Sequence, residues 1–98
     1  MLICIDAGHG RNTAGKRGLK RIDPGETREW VLNSRIAGKL QTLLAGYDCT
    51  TMRVDDVTGE TDVSLASRVS AANCAKADVY VSIHHNAGIN GGSGGGIV

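Results

Sequence analysis

Three short apolar runs, separated by segments long enough to form helices, constrain the fold of this chain most strongly. The runs are LICID (2–6), YDCTTMRV (47–54) and DVYVSIHH (78–85). Apolar runs of this length, bounded by polar and glycine-containing segments, are typical of strands. LICID is apolar almost throughout, which predicts a strand that is buried on both faces.

The first segment between these runs predicts a long helix. It extends from about Thr27 to Ala45 and is followed by Gly46. Apolar residues recur along it at helical spacing, and glycine commonly follows the last turn of a helix. The expected buried face consists of Leu32, Ile36, Leu40, Leu43 and Leu44.

A second helix is predicted from Ser64, the expected N-cap, to about Lys76. Its expected inward residues are Leu65, Val69 and Ala72. The resulting β–α–β–α–β order predicts an α/β fold, in which a mainly parallel central sheet is flanked by helices and the crossovers are right-handed.

Composition limits the alternatives. A chain of 98 residues has room for one domain, and with one Trp, two Tyr and no Phe its core has to consist of Ile, Leu, Val and Ala. The three cysteines (Cys4, Cys49 and Cys74) form no CxxC pair and are interpreted as small buried hydrophobes. The net charge of +1 argues neither for nor against an anionic partner. No nucleic-acid partner, membrane insertion or secretory signal is predicted.

Two histidines and a glutamate form a candidate metal site. His9 lies just after the first strand and His84 closes the third, so both reach the rim where ligand sites of parallel sheets collect. Glu29 falls on the expected inward face of the first helix, where a bare carboxylate is costly. Two imidazoles, one carboxylate and an open fourth position make a catalytic type of zinc site. Spacing alone leaves open that Glu29 caps the helix and that the histidines are ordinary loop residues.

Several short motifs carry a family resemblance that covers residues 3–86. They are IDAGHG with His9, RE followed by WVLNSRIAGKL with Glu29, Arg68 followed by AAN at Asn73, and VSIHHN with His84. In this order they resemble the successive motifs of the zinc-dependent N-acetylmuramoyl-L-alanine amidases, the amidase-3 family. The resemblance implies an α/β fold and one zinc ion held by His9, Glu29 and His84.

The same resemblance implies an enzyme activity and a partner. The reaction is hydrolysis of the amide between the lactyl group of N-acetylmuramic acid and the L-alanine of the stem peptide. The partner is peptidoglycan, and the place of action is the bacterial cell wall, extracellular or periplasmic, in lysis or remodelling.

Other residues near the expected ligands are candidates for supporting roles at the site. Glu26 is the rival of Glu29, although the spacing to IAGKL fits the family better from Glu29. His85 occupies a variable position of the motif, and Asn86 follows it. Both are candidate substrate-binding residues, but a solvated side chain is the preferred interpretation of His85. Asn86 either shapes the turn or forms a hydrogen bond near the site.

The remaining basic residues are interpreted as structural or solvated. Arg68 is expected to serve as an ion-pair or carbonyl partner rather than as a catalyst. The basic loop 11–21 is expected to be mainly a solvated surface, with contact to anionic wall polymers as the alternative.

The chain also departs from the family pattern. Family members carry a second glutamate that acts as general base, and no residue between Asn86 and Val98 offers one. The general-base glutamate is therefore expected beyond Val98, and no catalytic residue is assigned within the chain. The sequence predicts one catalytic-type domain over 1–98 that lacks the C-terminal part of the family's domain. Little or no amidase activity is expected from these residues alone.

Three other functions compete with the amidase interpretation. The principal one is a metal-binding or wall-binding module without turnover. A serine hydrolase is suggested by Ser82 and His84 on one side of a strand, but Ser82 does not lie on a strand-to-helix elbow. A nucleotide-binding domain is disfavoured because GHGRNTAG has neither G-x-G-x-x-G nor P-loop spacing.

Overall fold

The computed structural model describes residues 1–13 and 28–85. Its elements are β1 (Leu2–Ala7), α1 (Glu29–Leu44), β2 (Thr50–Arg53), α2 (Leu65–Cys74) and β3 (Val79–Ile83). The strand order is β2-β1-β3, and β1 pairs in parallel with both neighbours. The predicted α/β fold with a parallel sheet is therefore confirmed.

The central strand β1 separates two small apolar clusters. Side chains alternate between the two faces of a strand, so Ile5 packs with Ala7 and α1 on one side. Cys4 packs with Val54 and Ala72 on the other side. The prediction that this strand is buried on both faces is confirmed, because Cys4 and Ile5 are both inaccessible to solvent.

Helix α1 buries a different face from the one predicted. Its buried residues are Trp30, Asn33 and Ala37, whereas Ile36 is 45% exposed and Leu43 is 69% exposed. The leucine spacing indicated the wrong buried face, because Trp30 fixes the rotation of the helix. Its indole is buried, and its Nε1–H donates to the carboxylate of Asp55 at 3.0 Å. Of the predicted face, Leu40 and Leu44 do pack against the core.

The Trp30 contact is part of a larger polar arrangement. Asp55 also accepts two hydrogen bonds from the Arg53 guanidinium, at 2.7 and 2.8 Å. Burial acts to raise the pKa of Asp55, but the bonds from Arg53 and Trp30 outweigh burial and lower that pKa. This ionised carboxylate therefore links the end of β2 to the first turn of α1.

Helix α2 follows the prediction at its start but not along its face. The hydroxyl of Ser64 accepts a hydrogen bond from the Ser67 backbone N–H at 3.1 Å, so the predicted N-cap is confirmed. Ala72 is buried as expected, but Leu65 is 69% exposed and Val69 is 41% exposed. Arg68 lies between them in sequence and is buried against the sheet, where it forms ion pairs with Asp6 and Asp62.

The cysteine prediction holds only in part. Cys4 is buried, Cys49 is partly buried, and Cys74 at the end of α2 is exposed, so the interpretation as a buried hydrophobe is wrong for Cys74. All three are free thiols. Burial raises the pKa of the Cys4 thiol. Within residues 1–13 and 28–85, no helix is both long and apolar enough to cross a membrane.

Candidate metal centre

Three elements bring His9, Glu29 and His84 together at one edge of the sheet. His9 follows β1, His84 follows β3, and Glu29 is the first residue of α1. One ligand atom from each side chain lies within 4.8 Å of the other two. The two imidazole rings meet edge to face, with centroids 5.0 Å apart. The structure thus collects the three residues that the sequence singled out.

The spacing of the donor atoms suits a single zinc ion. His9 Nε2 lies 3.5 Å from Glu29 Oε2, and His84 Nδ1 lies 3.3 Å from Glu29 Oε1. Zinc bonds of about 2.1 Å in tetrahedral geometry separate two donors by about 3.4 Å, so each imidazole lies at about this spacing from one of the two carboxylate oxygens. Two neutral imidazoles with one carboxylate are also a donor set that zinc prefers. The residues present therefore fit this metal.

The Glu29 carboxylate is fixed by hydrogen bonds and is only 11% exposed. Its Oε1 accepts the backbone N–H of His85 at 2.9 Å and the side-chain amide of Asn33 at 3.3 Å. Burial acts to raise the pKa of Glu29, but these bonds and the nearby His9 and His84 outweigh it and lower the pKa. Glu29 is therefore ionised at neutral pH and available to a cation.

Gly8 makes room for one of the histidines. A Cβ at this position would stand 2.2 Å from Cε1 and 2.4 Å from Nδ1 of the His84 ring. No side chain larger than hydrogen is compatible with this position of the ring. The backbone N–H of Gly8 also donates to the Ile83 carbonyl at 2.9 Å, which ties the ends of β1 and β3 together.

Arg68 fixes the backbone that carries His9. His9 has a φ of 65°, a conformation that costs energy in a residue with a side chain. The buried guanidinium of Arg68 donates to the carbonyls of Ala7 at 2.7 Å and His9 at 3.0 Å, and it pairs with the carboxylates of Asp6 and Asp62. The predicted structural role of Arg68 is confirmed.

Asp6 extends this arrangement to the third strand. Its carboxylate accepts the Tyr80 hydroxyl at 2.5 Å and the Ser82 hydroxyl at 3.5 Å. Burial and the bond to Asp6 raise the pKa of Tyr80. Because Ser82 is directed to Asp6, its hydroxyl is not placed as the nucleophile of a serine hydrolase with His84.

The residue that sequence reasoning missed is Asn33. It is fully buried and lies one turn after Glu29, and its Oδ1 is 2.6 Å from Nδ1 of His85. His85 is exposed, as the preferred interpretation required, but its ring has a protein partner. The spacing of four residues between Glu29 and Asn33 was the available signal, because it puts both on one side of a helix.

Several other sequence predictions fall on residues outside the described ranges. They concern Glu26, Asn86 and the basic loop from residue 14 onward. Of that loop, Arg11 is described, and its guanidinium lies 5.6 Å from the ring centroid of Trp30. This distance allows a cation–π contact.

The expected position of the general base also lies outside the described ranges. The described residues end at His85, and the family resemblance leads us to expect this glutamate beyond Val98. The location of the general base therefore stays a prediction. Among the described residues, Glu29 lies between the two histidines, where it suits the role of a metal ligand rather than that of a base.

Comparison with known proteins supports the family resemblance. Residues 3–98 match the family model described as N-acetylmuramoyl-L-alanine amidase. The fold is similar to that of an N-acetylmuramoyl-L-alanine amidase from Clostridium difficile 630, with 35% identity and a TM-score of 0.79 over 97% of this chain and 48% of that one. No curated protein matches at a significant level.

Two further solved structures agree with this assignment. The catalytic domain of CwlV, an amidase of the same name from Bacillus (Paenibacillus) polymyxa var. colistinus, is 30% identical with a TM-score of 0.75, over 91% of this chain and 47% of that one. AmiC2 of Nostoc punctiforme is 29% identical with a TM-score of 0.75, over 92% and 46%. This chain thus spans about half the length of these structures. It belongs to the N-acetylmuramoyl-L-alanine amidase family.

Proposed function

We propose that this chain provides the zinc-binding part of a peptidoglycan amidase that hydrolyses the bond between N-acetylmuramic acid and L-alanine. The observation that carries this proposal is the convergence of His9, Glu29 and His84, with the carboxylate oxygens 3.5 and 3.3 Å from the two ring nitrogens. Membership of the amidase family supports the choice of reaction and substrate.

Each residue of the site has a distinct role in this proposal. His9 and His84 offer ring nitrogens, and Glu29 offers the negative charge that balances part of a divalent ion. A zinc ion bound there supplies a Lewis acid that polarises an amide carbonyl and lowers the pKa of water. Glu29 suits the ligand role because its lowered pKa keeps it ionised.

His85 is proposed as a substrate contact at the rim, together with Asn86. The ring of His85 is exposed, and its Nδ1 is committed to Asn33. A substrate group can therefore use only Nε2. The place of action proposed for the protein is the bacterial cell wall. Residues 1–98 are proposed to be one catalytic-type domain, with the general base supplied from beyond Val98.

The proposal is tested first by zinc binding. Metal-free protein is titrated with zinc against a chromophoric chelator, and one equivalent is expected to bind. Glu29→Gln and His84→Ala should each weaken zinc binding by about 100-fold or more. Glu60→Gln is a matched control, because Glu60 is an exposed glutamate outside the His9–Glu29–His84 cluster. Equal zinc affinity in all four proteins would refute the site.

The reaction is tested next by mass spectrometry of muropeptides incubated with the zinc-loaded chain. Any zinc-dependent product should be a stem peptide with a free L-alanine amino terminus and a peptide-free muramic acid. Cleavage at a glycosidic bond or within the stem peptide would contradict the proposed reaction. Tight zinc binding with no cleavage would favour the alternative, a metal-binding module without turnover.

A further inference from the structure

Asn33 occupies a central position behind the candidate metal centre. It is fully buried, although it carries a polar amide, and its side chain contacts all three segments that form the rim. Its Nδ2 donates to the Gly8 carbonyl after β1 at 3.2 Å and to Glu29 Oε1 at the start of α1 at 3.3 Å. Its Oδ1 meets Nδ1 of His85, two residues beyond β3, at 2.6 Å.

The chemistry of these partners fixes the orientation of the amide. The Gly8 carbonyl and the ionised Glu29 carboxylate are acceptors only, so both have to face the NH₂ group of Asn33. The amide oxygen is then directed at His85, and an amide oxygen only accepts. His85 must therefore carry a proton on Nδ1. In the neutral ring, Nε2 is then the nitrogen without a proton.

We infer that Asn33 is a positioning residue for the metal centre. It holds the Glu29 carboxylate in place and, through Gly8 and His85, joins the chain segments that carry His9 and His84. Because His84 lies beside His85, the bond from Asn33 also restrains the segment that presents this ligand. The inference rests on the proposed function, since it assigns Asn33 a role toward the zinc that Glu29 would bind.

Loss of stability alone would not separate a positioning role from a structural one. Replacing both partners of a buried hydrogen bond by apolar groups can be nearly neutral, whereas replacing Asn33 alone leaves its partners unsatisfied whatever its role. An amide with three directed partners also specifies the orientation of those partners, and this is what a change in zinc affinity reports. Residues that orient metal ligands commonly change metal affinity 10- to 100-fold when they are replaced.

The test compares Asn33→Leu with the matched control Gln41→Leu. Gln41 is also an amide on α1 that bonds to the sheet, through Thr51 Oγ1 at 3.2 Å, but it lies three turns from Glu29. Zinc affinity of the folded proteins is measured by chelator competition, below the thermal transition of each. We expect about 10- to 100-fold weaker binding for Asn33→Leu and no change for Gln41→Leu. Affinity within about twofold of wild type in folded Asn33→Leu would overturn the inference.

A second measurement does not depend on the folding of any variant. Long-range ¹H–¹⁵N spectra of the wild-type protein report the tautomer of His85 when the ring is neutral. The Nδ1–H tautomer is expected, and the Nε2–H tautomer would overturn the inference. Failure of wild-type protein to bind zinc would instead refute the proposed function, so the two failures are distinguishable.

Discussion

Replacing Gly8 by alanine is predicted to remove His84 from the metal centre without unfolding the protein. The new Cβ would stand 2.2 Å from Cε1 of the ring, whereas ordinary contact begins at 3.4 Å, so the ring has to move by about 1.2 Å. Metal–ligand bonds stay within about 0.2 Å of their usual length, so a shift of this size takes the ring nitrogen out of bonding distance. The ring can move outward, because the His84 side chain is 47% exposed.

The expected effect on zinc affinity is large. Structural sites with four ligands bind zinc with a free energy of about 10–16 kcal/mol, or about 3 kcal/mol for each ligand. Loss of the His84 ligand should therefore weaken zinc binding about 100-fold, since about 1.4 kcal/mol corresponds to a factor of ten. The free energy of unfolding of the metal-free protein should change by less than about 1 kcal/mol, because the displaced ring enters solvent.

Gly38→Ala is the matched control for this experiment. A Cβ at Gly38 meets nothing within 4 Å, and the residue lies inside α1. Alanine there should raise the free energy of unfolding by about 0.5–1 kcal/mol and leave zinc affinity unchanged. Chelator competition and urea unfolding measure both quantities. If Gly8→Ala kept wild-type zinc affinity, the placement of the His84 ring against Gly8 would be wrong.

Three further predictions concern stability. Folding lowers the pKa of Asp55, because the bonds from Arg53 and Trp30 outweigh its burial. The stability that Asp55 contributes is therefore present above about pH 4 and is lost as the pH falls through its folded-state pKa. The urea midpoint should fall less between pH 6 and pH 3 in Asp55→Asn than in wild type. Ser64→Ala should cost about 1 kcal/mol in urea unfolding, since it removes the N-cap bond of α2, and an unchanged midpoint would argue against that cap. Arg68→Met should lower the free energy of unfolding by about 3–5 kcal/mol, because it leaves the Asp6 carboxylate buried without its cation. A loss below about 1 kcal/mol would contradict the structural role of Arg68.

Much of the fold could be predicted from local sequence. Strand runs, helix-length spacers and the Ser64 cap are local signals, and they were sufficient for the β–α–β–α–β order and the parallel sheet. The rotation of each helix was not predictable in this way. Trp30 and Arg68 set it through polar contacts that include Asp55 and Asp6, and these partners lie 25 and 62 residues away in sequence. Exposed Leu43 shows how a regular apolar spacing can indicate the wrong face.

The same distinction between local signals and contacts of distant residues applies to the candidate site. His9 and His84 were predictable because the carboxyl ends of parallel strands share one rim, and Glu29 stood out as a carboxylate near a buried face. The spacing from Glu29 indicates only that Asn33 lies on the same side of the helix, and Gly8 carries no local signal, since the importance of both depends on the exact approach of the His85 and His84 rings. Such distances arise only when separate chain segments come together.

The most direct test of the central claim is a crystal structure of this chain grown with zinc, with anomalous data collected on both sides of the zinc absorption edge. The proposed site predicts one strong peak bonded to His9 Nε2, a carboxylate oxygen of Glu29 and His84 Nδ1, with bonds of about 2.0–2.2 Å. The absence of a peak there, or a peak held by other residues, would contradict the assignment of His9, Glu29 and His84 as the metal ligands.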